Sequence, residues 1–280
     1  GGSRPSPSPG GSERRPQRGL PPTAAPARAR APRSCACGQP SQMVAAGAGH
    51  TVLLQSDGTA AAYGFNKDGQ CDLPAPAAGR TFTQAAAGAF HTALLQSDGT
   101  AVACGQNRDG QCGLPAPKEG LTFTQVAAGR CHTVALQSDG TAVACGLNDD
   151  GQCDLPAPAE GLTFTQVAAG AFHTALLQSD GTAVACGQRR FVGQCDLPAP
   201  ARGLTFTQVA AGGGHTVLLQ SDGTAVACGR DDDGQCQLPA PAGGPPCYAV
   251  HRLCHAAAAG LSRWQLGVLR AAGWGGAVPD

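Results

Sequence analysis

Five histidines at matched places in the chain are the residues whose spacing first suggests chemistry: His50, His91, His132, His173 and His215. They lie 41, 41, 41 and 42 residues apart, and each precedes Thr, an apolar run and Gln-Ser-Asp-Gly-Thr. Such a set could bind a metal ion or relay protons. However, one histidine per repeated unit places equivalent imidazoles too far apart for a coordination shell of about 2 Å. We therefore expect each histidine to bond backbone groups and to fasten one strand to its neighbour.

Cysteines also recur, at two fixed places in each repeat. Cys71, Cys112, Cys153, Cys195 and Cys236 follow Gly-Gln, and Cys104, Cys145, Cys186 and Cys228 precede a glycine. The chain has no C-x-x-C pair, so the spacing does not indicate a zinc site. Two interpretations stay open, a disulfide in each repeat of a secreted protein or reduced thiols acting as small buried apolar side chains. We favour reduced thiols and expect about fourteen free thiols under denaturing, non-reducing conditions.

Catalytic motifs are missing from the sequence. It contains no nucleophile elbow, phosphate-binding loop or His-Glu-x-x-His segment. Acidic loops such as residues 230–234 lack the downstream glutamate of an EF-hand calcium site. We predict that the chain is not an enzyme and that it has no cofactor and no metal site.

The elements that carry these residues can be read from the unit that starts at Leu121. Alternating apolar and polar residues predict a strand that ends at Gly129, and His132 opens a second short apolar run. Ser-Asp-Gly-Thr predicts a tight turn into a third strand, and a short outer strand is expected near Cys153 before Pro156 stops any ladder. The turn glycines that need positive φ are Gly58, Gly99, Gly140, Gly181 and Gly223.

Three or four short antiparallel strands in every 41 residues predict an all-β propeller built from stacked blades. Five repeats are clear, and the alternatives are an incomplete ring or a ring of six or seven blades. The predicted domains are a disordered Pro/Arg-rich arm at 1–34, the repeat propeller at 35–246 and an irregular tail at 247–280. A further hypothesis is that the tail is a sixth repeat read out of frame, and the nucleotide sequence would test it.

Charge limits the partners that we expect. Residues 1–33 contain seven Arg and one Glu, whereas residues 34–246 contain nine Lys or Arg and seventeen Asp or Glu. Nucleic-acid binding needs a basic face, so the propeller is not expected to bind nucleic acid directly. No stretch approaches the roughly 18 apolar residues of a membrane helix, so no membrane partner is expected. We favour an intracellular location, cytoplasmic or nuclear.

The phrase VAAGRCHTVALQSDGTAVACGLNDDGQC, at residues 126–153, resembles the repeats of the regulator of chromosome condensation family. The resemblance recurs in phase five times over residues 42–240 and is greatest to compact, bacterial-type repeats. It implies a circular propeller, usually of seven blades. The tryptophan that this family places before the glycine is Tyr63 in the first copy and Cys104, Cys145, Cys186 and Cys228 in the others.

The resemblance implies a protein-interaction scaffold without catalysis and a protein partner that the sequence does not identify. One alternative is a substrate-recognition fragment of a HECT-type ubiquitin ligase, a second is nucleotide exchange on a small GTPase, and a third is a decayed or mis-predicted gene product. The family's exchange factor works through an inserted wedge, whereas these repeats are uniform apart from one extra residue near Phe191.

The loop before each Gly-Gln changes most between copies, and loops on a rigid scaffold commonly carry recognition. We predict that these loops form a partner-binding face. The predicted residues are Asn66, Lys67, Asp68, Asn107, Arg108, Asp109, Asn148, Asp149, Asp150, Arg189, Arg190, Phe191, Arg230, Asp231 and Asp232.

Overall fold

The computed structural model describes residues 1–2, 43–187 and 193–238. Contacts divide the chain into Gly1–Gln39 and Pro40–Asp280, and every strand lies in the second unit. Residues 3–34 of the arm predicted at 1–34, the predicted tail at 247–280 and both ends of the predicted repeat domain lie outside the described residues.

The described part is all-β, as predicted, and contains fifteen strands. They are β1 (Met43–Ala46), β2 (His50–Leu54), β3 (Ala60–Gly64), β4 (Phe82–Ala87), β5 (His91–Gln96), β6 (Ala101–Gly105), β7 (Phe123–Ala128), β8 (His132–Gln137), β9 (Ala142–Gly146), β10 (Phe164–Ala169), β11 (His173–Gln178), β12 (Ala183–Gly187), β13 (Phe206–Ala211), β14 (His215–Gln220) and β15 (Ala225–Gly229).

Consecutive strands form five separate antiparallel sheets of three strands each, which confirms the predicted blades. In the third blade β7 pairs with β8 and β8 with β9, so that His132 lies opposite Gly146. The expected outer strand near Cys153 is not formed. The residues around Cys153 form a turn instead, because Cys153 N–H donates to the Asn148 side chain and Leu155 N–H donates to the Cys153 carbonyl.

The hydrophobic core lies between blades rather than within them. One cluster joins Ala93 and Leu95 of the second blade to Phe123, Val126 and Ala135 of the third. Phe123 is 3% exposed, because the neighbouring blade covers it. A single three-stranded sheet cannot bury both of its faces, so each blade depends on the next for its stability.

The turn between the second and third strands also joins blades. Gly140 has φ +79°, as its Asp-Gly sequence predicts, and its carbonyl accepts Phe164 N–H from the following blade. A Cβ at Gly140 would lie 2.3 Å from Cβ of Thr163. The other predicted turn glycines also have positive φ: Gly58, Gly99, Gly181 and Gly223.

Candidate interaction surface

Four of the five matched histidines link consecutive blades. The imidazole Nε2 of each lies within hydrogen-bond distance of the threonine hydroxyl that follows the next histidine, not of the backbone group we expected. These pairs are His50–Thr92 at 2.9 Å, His91–Thr133 at 2.8 Å, His132–Thr174 at 3.1 Å and His173–Thr216 at 2.9 Å.

The direction of each bond follows from the threonine. Thr133 Oγ1 donates its only proton to the Gln111 carbonyl at 2.6 Å, so it accepts from His91 Nε2–H. The linking histidine is therefore the neutral Nε2–H tautomer, with a bare Nδ1. Among the described residues nothing bonds Nδ1 of His91 or His132. A proton added there would create a buried cation with an unpaired donor.

Burial lowers the pKa of these imidazoles accordingly. Desolvation, with a smaller contribution from neighbouring histidines, lowers the pKa of His91, His132 and His173 to about 4. His50 is shifted in the same direction by burial. The histidines thus remain neutral at physiological pH and link neighbouring blades by hydrogen bonds. Among the described residues no three His, Cys, Asp or Glu side chains are grouped to hold a metal ion.

The cysteines belong to the same inter-blade framework. Cys104 Sγ donates to the Gln70 carbonyl of the preceding blade at 3.8 Å, and Cys145 Sγ donates to the Gln111 carbonyl at 3.6 Å. Cys112, after Gly-Gln, donates instead to the Gln106 carbonyl in its own loop at 3.3 Å. These three thiols are free and half-buried, and each makes a weak hydrogen bond to a backbone carbonyl.

The thiols should therefore react slowly, and the more buried ones should react more slowly than the more open ones. Burial, with smaller contributions from neighbouring thiols and Asp72, raises the pKa of Cys104 to about 12, and Cys228 is raised to about 12 in a similar way. We expect iodoacetamide at pH 8 to alkylate these two more than about tenfold more slowly than the more open Cys71, because the thiolate is the nucleophile. Peptide mass spectrometry over a time course measures this, and equal rates in the native protein would contradict it.

The predicted recognition loops lie after the third strand of each blade, where a buried glutamine holds them in place. Gln111 is fully buried, and its side-chain oxygen accepts Asp109 N–H at 3.0 Å. Its backbone carbonyl accepts a hydrogen bond from the Thr133 hydroxyl of the next blade. Gln70, Gln152 and Gln194 occupy the equivalent buried position. The first three loops are thereby fixed both to their own blade and to the next one.

In the four loops that the structure describes, the first asparagine or aspartate bonds within the loop. Asn66 accepts Cys71 N–H at 2.7 Å and donates to Asp72 at 2.8 Å, and Asn148 makes the equivalent two bonds. Asp231 accepts Cys236 N–H at 2.8 Å. These members of the predicted face, with Asn107, shape the loops and have less capacity left for a partner.

The loop tips differ from this framework. Lys67, Arg108, Asp109, Asp149 and Asp232 are exposed, whereas Asp68 and Asp150 are half-buried. Arg230 forms an exposed ion pair with Asp232 at 2.9 Å. Arg189, Arg190 and Phe191, the predicted cationic and aromatic patch, lie outside the described residues.

A cavity of roughly 370 Å³ lies where the five blades converge, a feature that the sequence did not reveal to us. Its wall is the Ala-Ala-Gly segment that ends the first strand of each blade, for example Ala128 and Gly129. The Arg130 side chain at its rim stacks over the Phe172 ring of the next blade, 5.2 Å from the centroid. Backbone and methyl groups dominate this wall.

Parts of the chain match a known sequence repeat. The family described as "Regulator of chromosome condensation (RCC1) repeat" matches residues 82–111, 123–152 and 206–235. No curated protein sequence gives a significant match to the chain. No helix in the described part of the chain is long and apolar enough to cross a bilayer.

Three solved structures illustrate the similarity of fold. Yeast RCC1 (Prp20) bound to Kap60 is 22% identical, with a TM-score of 0.57, over 68% of this chain and 56% of that one. Human WBSCR16 is 20% identical, with a TM-score of 0.61, over 74% and 65%. The ectodomain of the Physcomitrella patens receptor kinase CR4 is 20% identical, with a TM-score of 0.56, over 72% and 55%.

The chain thus spans less than two thirds of each of these structures. The sequence matches fall on blades two, three and five, and the solved structures share the fold. These three blades therefore match the regulator of chromosome condensation repeat.

Proposed function

We propose that this chain is a non-catalytic protein-interaction scaffold whose variable loops form the recognition face. The observation that carries the proposal is a contrast in burial, within the repeats, between the residues that the copies share and those that differ. Residues common to the copies, such as His132, Thr133 and Gln111, are buried in inter-blade bonds. The residues that differ between copies, such as Lys67 and Asp149, are exposed at loop tips.

The chemistry of these tips favours a protein partner over nucleic acid. The second and third loops differ in charge, because Arg108 stands beside Asp109 in one and Asp149 beside Asp150 in the other. Mixed and acidic tips on adjacent blades suit a partner surface with alternating charge. Structural neighbours support the partner class, since yeast RCC1 was crystallised with Kap60, and the binding of Prp20p to Gsp1p and histones is described with its structure.

The proposal is tested by proximity labelling or affinity capture with a variant that carries the Leu147–Asp150 sequence in all five loops. The buried histidines, threonines and glutamines that link the blades are unchanged, so the variant should fold and lose most captured partners. As a matched control, Ser138→Ala and the equivalent serine substitutions alter the opposite end of each blade and should retain the partners. Unchanged capture by the loop variant would refute the loop face.

Nucleotide exchange on a small GTPase is the second candidate, favoured by the fold shared with yeast RCC1. Fold alone does not determine function, and no wedge-like insertion interrupts the described repeats. A fluorescent nucleotide-release assay separates the two functions. No acceleration by micromolar protein would exclude exchange on the GTPases assayed, whereas acceleration would require the scaffold proposal to be replaced.

A further inference from the structure

The dipeptide Asp-Gly occurs nine times in the described residues, in two different settings. Five copies form the turn between the second and third strands of each blade, and four lie in the variable loops. The turn copies are at 57–58, 98–99, 139–140, 180–181 and 222–223, and the loop copies are at 68–69, 109–110, 150–151 and 233–234. Aspartate rearranges readily before glycine, because glycine has no side chain to hinder attack by its backbone nitrogen. The hydrogen bonds of the two settings therefore determine which copies can react.

The rearrangement needs a protonated carboxyl group and a backbone nitrogen that can reach it. The glycine nitrogen gives up its proton and bonds to Cγ of the aspartate, the Cγ–OH bond breaks, and water leaves a cyclic imide. Water then adds to either carbonyl of the imide. When the bond to the original backbone carbonyl breaks, the chain runs through Cγ as isoaspartate, with no net gain or loss of atoms or electrons. Hydrogen bonds that favour the carboxylate anion, or that occupy the glycine N–H, therefore slow the reaction.

The turn copies have both of these restraints. In the third blade, Asp139 Oδ1 accepts the Thr141 N–H at 2.9 Å and the Thr141 hydroxyl at 2.7 Å, and these bonds lower the pKa of Asp139. Gly140 N–H donates to the Gln137 carbonyl at 2.9 Å. The other four turns repeat the two threonine bonds. The turn aspartates are thus held as anions beside glycine nitrogens that are already engaged.

The loop copy at Asp109-Gly110 lacks the first restraint and has a weaker form of the second. Asp109 is exposed, and no described residue donates a hydrogen bond to its carboxylate. Its backbone is held instead, since Asp109 N–H donates to Gln111 Oε1 at 3.0 Å. Gly110 N–H lies 3.4 Å from the Asn107 carbonyl oxygen, which is longer than the usual range for such a bond. The Asp109 carboxyl group is therefore free to turn toward the Gly110 nitrogen.

We propose that Asp109-Gly110 is a site of spontaneous isoaspartate formation in the folded protein, and that the turn copies are protected by their threonines. The product has an extra methylene in the backbone of the second variable loop. This methylene displaces the Asp109 N–H from Gln111 and moves the neighbouring exposed Arg108, so ageing of the protein changes the tip of this loop. The reaction requires no partner, so it does not depend on the loop-face proposal.

The test incubates the intact 280-residue protein at neutral pH and physiological temperature for several weeks. Peptide mass spectrometry with electron-transfer fragmentation then measures isoaspartate at each Asp-Gly. It should accumulate at Asp109 about tenfold faster than at Asp139, a ratio that corresponds to the loss of one or two hydrogen bonds. The same protein in concentrated urea is the matched control, because unfolding removes these bonds and the two rates should converge.

Thr141→Val tests the protection at a single turn. It removes the hydroxyl that donates to Asp139 and should speed isoaspartate formation there by about three- to tenfold, whereas Asp109 should keep its rate. Thr141→Ser keeps the hydroxyl and should keep the slow rate. Asp98, in the preceding blade, reports on general unfolding, which would speed both turns. The proposal is overturned by native rates that are equal at Asp109 and Asp139, or by a Thr141→Val rate at Asp139 that rises no more than at Asp98.

Discussion

The free energy of unfolding should fall steeply as the pH is lowered from 6.5 to 4.5. In the folded protein the pKa of His91, His132 and His173 is about 4, whereas a histidine in an unfolded chain has a pKa of about 6.5. Between these values the unfolded chain binds more protons than the folded chain, so acid favours unfolding. Above about pH 7 both states are neutral at these sites, and their full contribution to stability is present.

The expected slope follows from proton linkage. Each histidine that is protonated only after unfolding contributes about 1.4 kcal/mol per pH unit, so three contribute on the order of 4 kcal/mol per pH unit near pH 5. A domain with a stability of roughly 5–15 kcal/mol should lose much or all of it within this range. Urea unfolding followed by circular dichroism at pH 7.5, 6.5, 5.5 and 5.0 measures the slope. The turn aspartates do not interfere, because bonds from threonine lower their pKa below 3.8, as at Asp98.

A single substitution tests whether this slope comes from the histidines that link the blades. His132→Gln keeps an N–H that can reach the Thr174 hydroxyl but removes the titration. The slope near pH 5 should fall by about one third, with a loss of roughly 1–3 kcal/mol at pH 7.5 for imperfect packing. His251→Gln, outside the described residues, is the matched control. A stability that does not change between pH 7 and 5, or equal effects of the two substitutions, would contradict the prediction.

The sequence was sufficient to predict the blades because their signals are local. Asp139-Gly140 specifies a tight turn, and alternation from Phe123 specifies the first strand, so both appear where expected. The expected outer strand was wrong for an equally local reason. Asn148 captures the backbone N–H of Cys153 and turns the chain before a ladder can form.

The candidate site was harder to predict, because its governing contacts join residues about one full period apart. His91 bonds Thr133, 42 residues away, although the recurrence of His-Thr in every copy was a signal that could have suggested this link. An asparagine in a variable loop looks available for recognition in a sequence, yet Asn66 bonds inside its own loop. The tips, such as Lys67 and Arg108, are exposed and are not used in this way within their loops.

Gly129→Ala should destabilise the protein by about 3 kcal/mol or more, since the next blade approaches this glycine too closely for a side chain. A Cβ there would lie 2.3 Å from His132 Cε1 and 2.4 Å from the Gly170 carbonyl oxygen of the next blade. The oxygen belongs to the backbone and accepts Arg130 N–H. Relief of the clash must therefore separate two blades or displace the His132 side chain. The backbone of Gly129 does not require positive φ, so sterics alone should cause the loss.

Gly213→Ala is the matched control for this prediction. It lies in the equivalent segment of the fifth blade, one residue further along, and a Cβ there meets no atom within 4 Å. Alanine already occupies that position as Ala48, Ala89 and Ala171 in other blades, so the substitution should be neutral or stabilising by up to about 1 kcal/mol. Urea midpoints at pH 7.5 compare the two variants. Similar midpoints would show that close backbone approach between blades does not govern stability, and that the inter-blade framework tolerates a wider spacing than the structure indicates.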